Sequence, residues 1–107
     1  MQPLAPTEIP GNATIDTIHD GLVLYSSSAT TTTWTLSAAA VPGTEVGWVQ
    51  DNAGTIVFSA AAGATLECVL TGHNSSAGQN ARGSLIVMHN SGGAAAVWNL
   101  AGFTTVT

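Results

Sequence analysis

Charge is what this sequence has least of. Only 7% of its 107 residues are charged, one basic (Arg82) and six acidic, giving a formal net charge of −5; ordinary soluble domains carry about 25%. A chain with one cation has almost nothing with which to displace counterions from phosphates, so a nucleic-acid partner is excluded. An anionic membrane partner is excluded on the same ground. No apolar run approaches the roughly 18 residues of a membrane span. Met1-Gln2-Pro3-Leu4 lacks the basic start and apolar core of a secretory signal. The one cysteine, Cys68, permits no internal disulfide, so synthesis and assembly in a reducing cytoplasm are expected.

Reaction motifs are equally scarce. His19, His73 and His89 are the only imidazoles, and none stands at metal-ligand spacing from another or from Cys68. No Gly-x-Ser-x-Gly elbow accompanies the many serines. Asp16, Asp20, Glu45, Asp51 and Glu67 could pair in space as glycosidase carboxylates do, but Asp51 and Glu67 fall at a turn and on a solvent face. Neither catalysis nor a cofactor is expected. Asn12-Ala13-Thr14 and Asn74-Ser75-Ser76 match the glycosylation acceptor pattern, which chance supplies in so Asn/Ser/Thr-rich a chain.

What the chain does have is alternation. Leu22 to Tyr25 is a short apolar run, and Thr31 to Leu36 puts Trp34 and Leu36 on one face and Thr33 and Thr35 on the other. Val46 and Trp48 share a side of the next segment. Asp51-Asn52-Ala53-Gly54 has the chemistry of a turn, which predicts a β-hairpin into Thr55–Ser59 with Ile56 and Phe58 on one face. Ala64 to Leu70 alternates with Leu66, Cys68 and Leu70 inward. Gly72 to Gly83 has no periodicity and is predicted to be a long exposed loop offering His73, Asn74, Gln79 and Arg82. Ser84–His89 and Ala94–Leu100 make two more strands across Asn90–Gly93. Trp34, Trp48 and Trp98 could form a stacking platform for sugars or bases; with Leu or Val two positions away, core or interface packing beside Phe58 and Leu66 is the expectation.

About seven short strands at this spacing indicate an all-β domain, an antiparallel β-sandwich or a small barrel or roll. Residues 1–20 differ from the β domain, 21–107, because Pro3, Pro6 and Pro10 favour an extended backbone without ladder hydrogen bonds. They are predicted to form an extended arm that orders against a neighbour, with Leu4, Ile9, Ile15 and Ile18 as apolar contacts. So little charge on so small a domain leaves uncharged β surface to be covered, which predicts a homo-oligomer, with a trimer expected.

Thr33-Trp34-Thr35-Leu36-Ser37, Pro42 to Phe58, Ala61 to Leu66 and Val97-Trp98-Asn99-Leu100 together resemble the small β-structured modules of tailed-bacteriophage virion proteins. These are the modules of fibres, spikes and capsid decorations, and the likeness spans most of residues 30 to 102. Such modules are usually homotrimers with structural or host-attachment roles. The resemblance implies a non-enzymatic capsid decoration or cement protein on the virion surface. Its partners would be copies of itself and a major capsid or other virion protein, gripped through Pro3, Leu4, Pro6, Ile9 and Pro10. A 107-residue chain is short for a tail fibre, which favours the head. The alternatives are a receptor-binding tip or short tail fibre, in which the Gly72–Gly83 loop meets the host, and a carbohydrate-binding module using the tryptophans.

Overall fold

Alternating burial decides which face of each segment turns inward. The computed structural model describes residues 5–107. Its strands are β1 (Thr7–Ile9), β2 (Ala13–Ile15), β3 (Val23–Ser26), β4 (Thr32–Leu36), β5 (Glu45–Gln50), β6 (Ile56–Ala60), β7 (Thr65–Cys68), β8 (Ser75–Ser76), β9 (Arg82–Asn90), β10 (Ala96–Gly102) and β11 (Thr104–Thr105). Short 3₁₀ turns at Thr17–His19 and Ser91–Gly93 are the helical parts. The fold is all-β. A six-stranded sheet runs β1-β3-β5-β9-β10-β7 and a five-stranded sheet β11-β8-β6-β4-β2.

Both sheets are mixed, which corrects the antiparallel expectation. From β1 to β6 the chain steps from one sheet to the other at every strand, so that β1, β3 and β5 pair in parallel and so do β2, β4 and β6. The path is a coil whose turns each add one strand to each layer. Parallel neighbours need a long crossover, and here the strand in the opposite layer is that crossover. Leu24 faces Trp48 and Trp34 faces Phe58, so partners in the last two turns lie 24 positions apart. Antiparallel pairing enters later, where β9 lies between β5 and β10. β7 closes that sheet in parallel with β10.

The hairpin expected across Asp51–Gly54 does not form: β5 and β6 lie in different sheets. No residue from 51 to 54 has the positive φ that two-residue hairpin turns demand. Instead the turn stacks on the preceding one. Asp51 N donates to Ser26 O at 3.0 Å and Gly54 N to Ser28 O at 3.1 Å. Asn52 Nδ2 donates to Ser27 O at 3.1 Å. A Cβ on Gly54 would collide with the Thr30 carbonyl, so glycine is required by the close approach of the two turns.

The first twenty residues are not a separate arm from Thr7 onward. β1 and β2 form one edge of each sheet, Ile15 is fully buried, and Ile9 packs against the core. Proline is tolerated at such edges because its missing N–H faces away from the ladder, so Pro6 and Pro10 flank β1 without cost. Ile18 is the exception, 84% exposed on the 3₁₀ turn.

The two layers meet through aromatic rings. Trp34, Trp48, Trp98 and Phe58 are fully buried, and Leu66 and Cys68 pack partly against them. Trp48 reaches across from the six-stranded sheet to Phe58, ring centroids 5.1 Å apart. Trp98 Nε1 donates to Ser37 O at 2.9 Å. Gly83 makes room for the Trp48 ring, since a Cβ there would run into it and into the Ala101 carbonyl.

Candidate functional site

The ionisable groups are dispersed rather than gathered. His19 Nδ1 accepts from Asp16 N at 3.1 Å while the Asp16 carboxylate accepts from Thr17 N at 2.7 Å, so this histidine caps a 3₁₀ turn. His73 Nδ1 lies 3.3 Å from Thr104 O, and His89 stands near the end of β9 opposite Val97. Burial pushes the Cys68 thiol up from its ordinary pKa, which lowers its thiolate fraction and nucleophilicity near neutrality. Among the described residues no cluster of three or more His, Cys, Asp or Glu side chains could hold a metal ion. Nor is any helix among them long and apolar enough to cross a membrane.

Of the residues expected to anchor the chain, Pro3 and Leu4 lie outside the described residues. Pro6 and Pro10 are exposed on either side of β1, while Ile9 turns toward the core and is not free to grip a partner. The stacking platform of Trp34, Trp48 and Trp98 is not available either, because all three rings are buried.

The stretch from Gly72 to Gly83 is not one exposed loop. Ser75 and Ser76 form β8 and are buried. Ser76 Oγ accepts from Ile56 N at 2.8 Å and donates to Gln50 Oε1 at 2.6 Å. His73 and Asn74 are half-buried beside the C-terminus, where Thr107 Oγ1 donates to Asn74 Oδ1. Gln79 and Arg82 are exposed at a different place, with Gln79 Nε2 donating to Asp51 O at 3.4 Å. The four residues therefore divide into two pairs.

Large apolar side chains left in solvent form the more prominent surface feature. At one end, Val41 N donates to Thr17 Oγ1 at 2.8 Å, and Gly43 N donates to Val87 O at 2.8 Å. These bonds place the segments that carry exposed Ile18, Val41 and Met88 at the same end of the molecule. A second set follows the pairing of Leu100 with Cys68: Val69, 78% exposed, and Leu70 run on from β7, Phe103, 71% exposed, from β10, and Val106 from β11 of the other sheet. Of these residues the sequence points only to Ile18 as a contact, and Leu70, expected inward, is exposed. The available signal was Val69-Leu70, two consecutive apolar residues carried straight into Thr71-Gly72, where alternation fails.

The outer faces of the sheets differ. On the five-stranded sheet Thr14, Thr35 and Ser59 form one row of hydroxyls. On the six-stranded sheet Glu8, Tyr25, Val49 and Arg82 stand in register on four adjacent strands. A hollow of about 430 Å³ there is lined by Pro6, Tyr25, Val49, Asp51 and Arg82. Comparison with protein-family models, with curated proteins and with solved structures finds no match for this chain.

Proposed function

We propose that this chain is a non-enzymatic structural protein of a virion, a decoration or cement subunit of a bacteriophage capsid that works as a homotrimer. The observation that carries this reading is the exposure of large apolar side chains in two sets, Ile18, Val41 and Met88 and then Val69, Leu70, Phe103 and Val106, on a domain with only 7% charged residues. A monomer rarely leaves such groups in water, whereas a subunit covers them on assembly. The family resemblance supplies the virion and the threefold symmetry.

Attachment to a major capsid protein, or to another virion protein, is assigned to the segment that precedes β1. The two layers supply a rigid body behind it. Assembly takes place in the host cytoplasm, and the finished subunit sits on the capsid surface.

Sedimentation of the purified chain, followed by imaging of particles assembled with and without it, tests the proposal. A trimer present in hundreds of copies on the head shell is the expected result. A stable monomer at micromolar concentration removes the first half, and a few copies at the tail favour the receptor-binding alternative.

A further inference from the structure

The outer face of the six-stranded sheet carries a hollow whose lining, apart from Pro6, lies outside the surfaces assigned to assembly. Tyr25, the one tyrosine of the chain, and Arg82, its one cation, stand two strands apart with Val49 between them. At a strand spacing of about 4.8 Å their backbones are roughly 10 Å apart across Val49. Pro6 walls the β1 side and Asp51 the end of β5.

Each group is held by backbone pairing rather than by a mobile loop. Tyr25 and Val49 face one another on parallel strands, and Arg82 opens β9 opposite Val49. Asp51 N donates to Ser26 O at 3.0 Å and its carbonyl accepts from Gln79 Nε2 at 3.4 Å. The next row, Val23, Gly47 and Ser84, lines a separate hollow of about 220 Å³ rimmed by Glu45. The Val23 side chain lies over Gly47, where a Cβ would meet Val23 Cγ2 at 3.1 Å.

We propose that this face binds a neutral saccharide, with Tyr25 as the stacking platform and Arg82 and Asp51 as ligands of the ring hydroxyls. A sugar ring presents an apolar C–H face and, at its rim, hydroxyls that both donate and accept. An aromatic face flanked by a donor-only guanidinium and an acceptor-only carboxylate meets both needs. Charge selects the neutral class. Glu8, Asp51 and Glu45 oppose a single guanidinium on this face, and the chain as a whole carries −5, so an acidic sugar is repelled. The proposal concerns the isolated chain and does not depend on the virion role.

Composition makes the test clean, because one arginine and one tyrosine give one guanidinium Nε–H resonance and one phenol ring system. Titration with maltose, cellobiose and diacetylchitobiose is expected to shift both signals saturably for at least one of the three, in the millimolar range or tighter. Tyr25→Ala and Arg82→Gln should each weaken that binding by about tenfold or more, while Thr14→Ala on the opposite outer face leaves it unchanged. Where Tyr25→Ala does not fold, Arg82→Gln, at an exposed position, carries the comparison. Absence of a saturable shift with all three probes overturns the site, as does binding that survives both substitutions. Tighter binding of sialyllactose than of the neutral probes overturns the assignment to neutral sugars.

Discussion

The ring of Trp34 meets that of Phe58 edge-on, centroids 5.9 Å apart and planes at 87°, because the two residues are register partners on parallel β4 and β6. Phe58 also receives the tilted ring of Trp48 from the opposite sheet at 5.1 Å. It is thus a joint between successive turns of the coil and between the two layers. Phe58→Ala removes both contacts and leaves a cavity, and should lower stability by about 3–5 kcal/mol in denaturant unfolding. A loss under about 1 kcal/mol would show that the rings do not join the layers.

Gly83 is a second position where the packing leaves no freedom. A methyl there meets the Trp48 ring and the Ala101 carbonyl, and neither can withdraw without disturbing β5 or β10. Gly83→Ala is expected to cost about 1–3 kcal/mol. Gly11→Ala, where a Cβ meets no atom within 4 Å, should stay within about 0.5 kcal/mol of the parent. Equal melting of the two variants would contradict the close approach at Gly83.

Truncation separates attachment from folding. Removing residues 1–5 leaves β1 and β2 intact and should give a folded protein that, on the proposed function, no longer binds capsids. Removing residues 1–15 takes away both edge strands and Ile15, which is fully buried, and should abolish cooperative unfolding or lower its midpoint sharply. If the shorter truncation still decorates particles at full occupancy, attachment runs through the β domain.

Cys68 offers a check by pH. Its thiol is pushed above the ordinary value by burial, so at a given pH the folded protein holds less thiolate than the unfolded chain and reacts more slowly with a disulfide reagent. The linkage has a definite sign: with the folded pKa above the unfolded one, the folded state binds more protons, and stability falls as pH rises through the unfolded value toward the folded one. Denaturant should accelerate thiol labelling at pH 8. Equal rates in the native and unfolded protein would place the thiol in water.

Local alternation was legible, connectivity was not. Trp34 and Leu36, Val46 and Trp48, and Ile56 and Phe58 share faces as period two requires. Asp51-Asn52-Ala53-Gly54 signals that the chain reverses, but the same residue types serve a reversal within one sheet and a step across the core. What decides is the bonding of this turn to Ser26–Ser28, across separations of 25 and 26 positions. The 24-position offset between strands was present in the sequence only as apolar partners, Leu24 with Trp48 and Trp34 with Phe58, with no identical residues to mark it.

Two other misreadings have physical causes. Proline density at the start suggested an arm because proline lacks a ladder donor, yet an edge strand tolerates that loss, as β1 does between Pro6 and Pro10. Ser75-Ser76 is too short to display a period, and small hydroxylated residues resemble loop. The burial of Ser76 goes with its hydrogen bonds to Ile56 and Gln50, 20 and 26 positions away. The surface hollow beside Tyr25 is not legible in the sequence for a similar reason: its lining lies on β3, β5 and β9 or just beside β1 and β5, which only the sheet order brings together.

The exposed apolar sets make the assembly reading testable residue by residue. Each large side chain buried in an interface contributes through about 25 cal/mol per Å² of apolar area removed from water, whereas an aspartate in its place must lose hydration without a partner. Ile18→Asp and Met88→Asp at one end, and Val69→Asp and Phe103→Asp at the other, replace residues that the single chain already exposes. None should change the unfolding free energy of an isolated subunit by more than about 0.5 kcal/mol. Substitution at the end that joins the subunits should shift sedimentation from trimer to monomer at micromolar concentration. Substitution at the other end should leave the trimer intact and reduce occupancy on the particle if that end faces the shell. Retention of the trimer by all four variants would mean that the subunits meet elsewhere, with the hydroxyl-lined outer face of Thr14, Thr35 and Ser59 as the next surface to substitute.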